Sequence, residues 1–382
     1  MSFLVKGDFF KDYSRAVVFV VYTDNIVAMV VKKEGDRVVV VERGSEKQES
    51  EVSEGDFAAE KIILNCEKAL QALSKESKSG AKDFIVALSG GTGMFSFAQA
   101  KGIRQDKEKK ITKEEVEAVT SKWYGKENEA SASEFRNIPQ RFWVDGFAVP
   151  DAVGLNGKEV TADIVSIACG KSLVRAFDEF ASALGMRCAG MTDVRCALAE
   201  WKTVFTGNDS AILAAIFENE TDIIVVRAKK IAGIGVVRAG YGILIEELAR
   251  AHAVGKEEAR SMLDAFRGGA LNAWIAEKIK ETIVAAARNI AQGVVTAISQ
   301  IDKTNLLPGN VWVVASEYAP EAYDALRDET WLAGLPLERN PRTQRAEQSS
   351  YDGNVRVRIV ADDKRERRET VFDDCILEYL SS

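Results

Sequence analysis

One order of elements occurs twice in the chain, and it limits the fold more than any other feature of the sequence. Three Val-rich apolar runs, Ala16 to Tyr22, Ile26 to Val31 and Val38 to Val41, are separated by the short polar connectors Thr23-Asp24-Asn25 and Lys32 to Arg37. Short runs with polar breaks predict a three-stranded meander. A helix is expected next, because Ala58, Ile62, Cys66, Leu70 and Leu73 recur at helical spacing. Further along, Ala211 to Phe217, Asp222 to Val226 and Ile231 to Val237 read as strands, and Gly242 to Val254 as a helix. Three strands and a helix are a common order, so the repeat alone leaves a true duplication and a chance recurrence both open. It suggests two like α/β domains facing each other, and 382 residues at roughly 150 per domain leave room for them.

Between the copies, from about Met94 to Ala168, the character changes. A strand (Met94 to Ile103), a helix (Thr112 to Trp123) and strands around Arg141 to Phe147 and Glu159 to Ile167 predict a small inserted module. Thr112 is placed to cap its helix, with Glu114 and Glu115 in the first turn, where the helix dipole favours negative charge. Lys171 to Leu184 reads as a helix stopped by Gly185. The longest helix is expected from about Ala276 to Gln300, its stripe of Ile279, Ile283, Ala287, Ile290, Val294 and Ile298 turned to the core. Leu307-Pro308-Gly309-Asn310 introduces a buried strand, Val311 to Ala315, and after a polar stretch Val355 to Val360 and Thr370 to Leu380 are strand-like.

Composition excludes much chemistry. With 58 acidic and 51 basic side chains the net charge is -7, which argues against nucleic acid as a partner. The single histidine, His252, rules out His-pair and triad mechanisms, and a structural role is its ordinary reading. Five scattered cysteines (Cys66, Cys169, Cys188, Cys196, Cys375) without a C-x-x-C pair favour buried thiols over a disulfide framework or a zinc site, so no metal is expected. No apolar run approaches the roughly 18 to 20 residues of a membrane span, and Met1 to Tyr13 does not resemble an export signal; the reading is cytoplasmic. Ser89-Gly90-Gly91-Thr92-Gly93 lacks the Lys of a phosphate loop and reads as a turn. Asp106 to Lys113 and Lys364 to Arg368 read first as solvated charge, the second with an acidic partner or lipid head groups as the alternative.

Several phrases, in this order, resemble the FtsA group of bacterial actin-like proteins and more loosely PilM. They are Ala87-Leu88-Ser89-Gly90-Gly91, Ile111-Thr112-Lys113-Glu114-Glu115-Val116, Val144-Asp145-Gly146, Ala152-Val153-Gly154-Leu155-Asn156-Gly157, Leu184-Gly185-Met186 and the Leu-Pro-Gly turn at 307–309. The resemblance implies an α/β actin-like (ribonuclease H-like, duplicated) two-domain fold with a small α+β insertion in the first domain. The first domain would comprise 1–93 and 169–206, the inserted subdomain 94–168, the second domain 207–338, with divergent C-terminal strands over 339–382.

The same resemblance implies an ATP site in which Gly-rich hairpin turns admit phosphate and a strand-end Asp holds Mg²⁺. This sequence departs from that pattern in three places. Where the family has Asp-x-Gly it reads Val21-Tyr22-Thr23, and where the family has Asp-x-Gly-Gly-Gly-Thr-Thr-Asp it reads Ala215-Ile216-Phe217-Glu218-Asn219-Glu220-Thr221-Asp222. The Thr-Gly-Gly-Gly of the adenosine end appears as Val314-Ala315-Ser316-Glu317. Val21, Thr23, Ala215, Phe217 and Glu317 thus mark a degenerate site, and neither ATP nor Mg²⁺ is expected as a cofactor, nor any catalytic residue. The expected function is a non-catalytic FtsA-like scaffold, with an FtsZ-like filament as partner and self-assembly as a further option. The alternatives are a PilM-like cytoplasmic adaptor on the tail of a membrane protein in a pilus or secretion machine, or an active actin-like ATPase. The acidic tail, with Asp373, Asp374 and Glu378, is a poor membrane anchor, so attachment to the inner face of the membrane would run through a partner.

Overall fold

The computed structural model describes residues 15–22, 25–35, 37–48, 56–89, 92–121, 132–201, 209–301, 306–315, 326, 332, 335, 337, 356–361, 375–378 and 380. Along the chain these form β1 (Arg15–Val21), β2 (Asn25–Glu34), β3 (Arg37–Lys47), α1 (Asp56–Gln71), a short α2 (Lys75–Lys78) and β4 (Asp83–Leu88). The insertion supplies β5 (Met94–Ile103), α3 (Lys113–Ser121), β6 (Ala132–Val144), β7 (Phe147–Val149) and β8 (Glu159–Gly170). Then come α4 (Lys171–Leu184), β9 (Arg187–Asp193), α5 (Val194–Glu200), β10 (Ala211–Ile216), β11 (Thr221–Arg227) and β12 (Lys230–Val237). The remainder is α6 (Gly242–His252), α7 (Lys256–Arg267), α8 (Ala273–Ile301), β13 (Asn310–Ala315) and β14 (Arg356–Ala361).

The chain divides into two compact units, one built from Met1–Ala197, Lys230–Ala232 and Ile376–Ser382, the other from Leu198–Lys229 and Gly233–Cys375. Each has a five-stranded sheet, and the strand orders correspond: β3-β2-β1-β4-β9 and β12-β11-β10-β13-β14. In both, an antiparallel hairpin (β1 with β2, β10 with β11) is followed by two parallel strands (β4 and β9, β13 and β14). The recurrence seen in the sequence is therefore a recurrence of topology. Strands β1, β4 and β10 are buried along almost their whole length, which is why they read as continuous apolar runs rather than alternating ones.

In the first unit α4 lays Phe177 and Phe180 on the sheet, where they meet Phe19 and Phe84. The Phe19 and Phe84 rings stand edge to face with centroids 5.4 Å apart. Gly185 ends α4 in the left-handed conformation, φ 62°, and the Met186 N–H closes the turn on Ala181 O at 3.0 Å. In the second unit the stripe expected on the long helix is buried throughout: Ile279, Ile283, Ala287, Ile290, Val294 and Ile298 all lie inside.

The insertion is a four-stranded antiparallel sheet in the order β5-β8-β6-β7 with α3 on one face. Val119 of α3 packs with Ala100, Ala162 and Ile164, and Val116 with Ile111, Val144, Ala152 and Val160. Thr112 caps α3 in a reciprocal box: the Glu115 N–H donates to Thr112 Oγ1 (3.3 Å) and the Thr112 N–H to Glu115 Oε2 (2.9 Å). Arg104 Nε donates to the same carboxylate at 3.0 Å, and its remaining nitrogens take the carbonyls of Gly157 and Lys110. That guanidinium, with the Thr112 amide, holds the Glu115 carboxyl below the usual range. Asp145-Gly146 forms the two-residue turn between β6 and β7, both residues left-handed at φ 50° and 83°. The Asp145 carboxylate accepts the Glu159 and Lys158 amides, at 2.8 and 3.0 Å for Oδ1, and these hold its carboxyl below the usual range.

The C-terminal stretch corrects one expectation. The first run is a strand: β14 lies parallel to β13 as the fifth strand of the second sheet. In the second run, expected as a strand over Thr370 to Leu380, the described residues 375–378 are helical. Cys375, Ile376, Leu377 and Leu380 are buried, and an i, i+1, i+4 set of apolar residues suits one helix face better than an alternating strand.

Candidate functional site

In open α/β sheets ligands gather at the carboxyl ends of the parallel strands. In the first unit these are the ends of β1, β4 and β9. Val21, the last residue of β1, is fully buried and pairs with Ile26 across the hairpin. The Tyr22 N–H donates to Asn25 O at 2.9 Å, and the Gln48 side-chain amide donates to Tyr22 O. The Val21 carbonyl accepts from the Ser89 N–H (3.1 Å), the Ser89 hydroxyl (3.3 Å) and the Thr92 hydroxyl (3.3 Å). The Ser89 to Gly93 loop is thus fastened to the hairpin at its two described ends. Thr23, Gly90 and Gly91 lie outside the described residues.

The end of β9 carries a residue that the sequence reading did not single out. Asp193 is fully buried and is gripped by Arg195, itself 3% exposed: Nε and Nη2 of the guanidinium donate to Oδ1 and Oδ2 at 2.8 and 2.7 Å. The Arg195 N–H adds a third bond to Oδ1 at 2.8 Å, Nη2 reaches the Gly93 carbonyl at 3.0 Å, and the guanidinium lies 4.6 Å from the centre of the Phe95 ring. A strand-end aspartate is the residue type that would hold hydrated Mg²⁺. Here its oxygens already serve a cation belonging to the chain.

In the second unit the equivalent hairpin joins β10 to β11. Ala215 pairs with Asp222 and Ile216 with Thr221, leaving 217–220 as the tip, closed by the Phe217 N–H on Glu220 O at 2.9 Å. Ala215 is fully buried and Phe217 is 2% exposed. The start of α6 docks directly on this tip: the Tyr241 N–H donates to Phe217 O (2.9 Å), the Gly242 N–H to Glu218 O (2.8 Å), and the Thr221 hydroxyl to Ala239 O (2.7 Å). The approach is so close that a Cβ on Gly240 would lie 2.0 Å from Phe217 O. Glu218 turns inward, 4% exposed, and its Oε1 accepts from Arg260 Nη2 of α7 at 2.8 Å. Burial lowers the tendency of Arg260 to stay protonated, but Glu218, followed by Glu257 and Tyr241, outweighs it and leaves the guanidinium above its ordinary pKa.

Of the positions marked in the sequence, Val21 stands at one hairpin, Ala215 and Phe217 at the other, and Glu317 lies outside the described residues, as do Lys364 to Arg368. The reading missed Asp193, Arg195 and Arg260. An Asp-x-Arg at a strand end is a local signal that could have found the first pair; Glu218 and Arg260 have none. Cys66, Cys169, Cys196 and Cys375 are buried, and burial pushes the Cys66 thiol far up. Among the described residues no group of three or more His, Cys, Asp or Glu side chains is placed to hold a metal ion.

Two sheets of one strand order, each opening on an antiparallel hairpin, with an insertion in the first unit, make this an actin-like fold. Among solved structures the chain is similar to the PilM-PilN type IV pilus biogenesis complex, at 13% identity over 96% of both chains with a TM-score of 0.58. It is also similar to the ethanolamine utilization protein EutJ from Carboxydothermus hydrogenoformans (16% identity, 85% of this chain and 84% of that one, TM-score 0.46). A third is a Bacteroides thetaiotaomicron protein with an actin-like ATPase fold (9% identity, 85% and 90%, TM-score 0.36). No family model and no curated protein matches.

Proposed function

We propose that this protein is a non-enzymatic adaptor on an actin-like fold, working through protein contacts in a pilus or secretion machine rather than through ATP hydrolysis. The observation that carries the first half is the second hairpin. Its tip lacks the open glycine turn a triphosphate needs, its neighbouring amides at Tyr241 and Gly242 are taken by Phe217 and Glu218 carbonyls, and Glu218 brings a buried carboxylate. The first unit supports the same reading, because Asp193 is already neutralised by Arg195. ATP and Mg²⁺ therefore do not fit as resident cofactors.

The adaptor half is supported by the end-to-end likeness to PilM, which in that structure is in complex with PilN. Among the described residues no helix is long and apolar enough to cross a membrane. The FtsA-like division role, with an FtsZ-like filament as partner, uses the same fold; the likeness to PilM favours the pilus or secretion role.

Thermal melting with and without Mg-ATP tests the first half. A ligand at a hundred times its Kd stabilises by about 2.7 kcal/mol, so the melting point is expected to stay unchanged, and a clear rise would sink the proposal. Affinity capture from native cells, with cross-linking, tests the second half. A membrane protein of a pilus or secretion machine is the expected product, and recovery of a division filament protein in its place would reverse the choice of role.

A further inference from the structure

We infer that the end of the first sheet opposite the β1–β2 turn is a docking surface for an anionic lipid bilayer, held by a row of Lys and Arg side chains at the strand ends. This goes beyond the adaptor reading. It depends neither on the second hairpin nor on the identity of a protein partner.

The row follows from the register. In the order β3-β2-β1-β4-β9, the strands bring to this end Arg37, the pair Lys32 and Lys33, Arg15, Lys82 and Arg187. Arg37 lies opposite Glu34 where β2 turns into β3, and Arg15 lies opposite Lys32. Asp83 is the register partner of Arg187, whose N–H donates to Lys82 O at 2.9 Å. Each of the five strands thus meets this end with at least one cation. With strands about 4.8 Å apart, the row is about 20 Å long. Lys33, Arg37, Lys82 and Arg187 are exposed, while Arg15 and Lys32 are half-buried. Arg15 is fixed in place, its Nη1 donating to the carbonyls of Ser77 and Ser79 at 3.1 and 2.9 Å.

Along these strand ends the six basic residues have three acidic neighbours, Glu34, Asp36 and Asp83, in a chain whose net charge is -7. The row runs against the sign of the molecule. Asp83 is turned inward, 2% exposed, with Arg187 Nε on its Oδ1 at 2.7 Å, and Glu34 is held by Lys32. Salt screens charge over roughly 10 Å at 0.1 M, so a surface that meets the row feels these cations before the net charge of the chain.

The chemistry of the row selects a bilayer over an acidic protein. A protein interface is organised around buried apolar or aromatic anchors. Among the described residues, none of the large apolar side chains that stand exposed lies on this row. An anionic bilayer needs no such anchor, because a group of four to eight Lys and Arg side chains at its surface is held by charge.

The test is co-sedimentation of the full chain with vesicles of phosphatidylcholine, alone or with about one-third phosphatidylglycerol. Wild type is compared with K33Q/R37Q/K82Q and with K256Q/K278Q/K280Q, which removes the same charge from α7 and α8. Wild type is expected to bind the anionic vesicles alone, and to release them as sodium chloride is raised. Each lost cation should weaken binding about fivefold, so the first variant should bind roughly a hundredfold more weakly while the second stays close to wild type. Melting points equal to that of the wild type establish that both variants are folded. Wild type that does not bind anionic vesicles at low salt overturns the inference, and so does a K33Q/R37Q/K82Q protein that binds them as well as wild type. Row-dependent binding of polyglutamate without binding of vesicles also overturns it, and assigns the row to an acidic protein segment.

Discussion

Replacement of Arg195 by Ala is expected to lower the stability of the first unit by about 3–5 kcal/mol, read as a fall in the urea midpoint at neutral pH. The size follows from burial. Asp193 has no exposed surface and Arg195 has 3%, so removing the guanidinium strands a carboxylate where water cannot reach it. It also strips the Gly93 carbonyl of its donor and takes the cation from the Phe95 ring. R195K should recover little of this, because an ammonium cannot donate to both carboxylate oxygens, a carbonyl and a ring in one plane. The double variant D193N/R195M should recover most of it, since replacing both members of a buried pair removes the desolvation cost along with the attraction. A single variant that melts like the wild type would show that the pair contributes nothing to the fold.

Gly240→Ala has an equally large expected effect for a different reason. The added methyl would lie 2.0 Å from Phe217 O and 2.4 Å from Glu218 O, both backbone atoms that cannot rotate away. Relief requires α6 to lift off the hairpin, which breaks the bonds from Tyr241 and Gly242 to those carbonyls. Two lost hydrogen bonds together with overpacking amount to about 3–5 kcal/mol. Gly255→Ala is the control: its backbone sits at φ -71° and a Cβ there meets nothing within 4 Å, so a change within about 0.5 kcal/mol is expected. Equal melting of the two variants would contradict the close approach of α6 to the hairpin.

What was legible in the sequence was what depends on neighbours along the chain. The meanders were readable because β1 and β10, and the middles of β2 and β11, are buried on both faces and therefore run apolar without alternation. Thr112 and Glu115 announced the start of α3 because a capping box is a local contract between residues three apart. Helix α7 escaped because its buried face is narrow, Ala259 and Leu263 amid charged residues. Arg260 escaped with it, because its partner Glu218 is forty-two positions away and linked to it only by the fold. The helical residues 375–378 were read as strand because a short apolar run does not declare its period. At the candidate site the missing residue types were readable; the Asp193–Arg195 pair had a local Asp-x-Arg signal that was passed over, and the Glu218–Arg260 pair had none.

The pairing of β5 with β8 has a kinetic consequence. Strands β4 and β9 must meet in parallel across a long sequence separation, which ordinarily makes a slow and entropically costly closure. The insertion lies between them, and its first and last strands pair along their whole length, with Met94 opposite Ala168 and Ile103 opposite Glu159. Once that clasp forms, the chain leaves the first sheet and returns to it at adjacent points. The loop that β4 and β9 must close is then short, however long the insertion is. Placed there, the insertion acts as a folded spacer that need not slow the assembly of the sheet it interrupts.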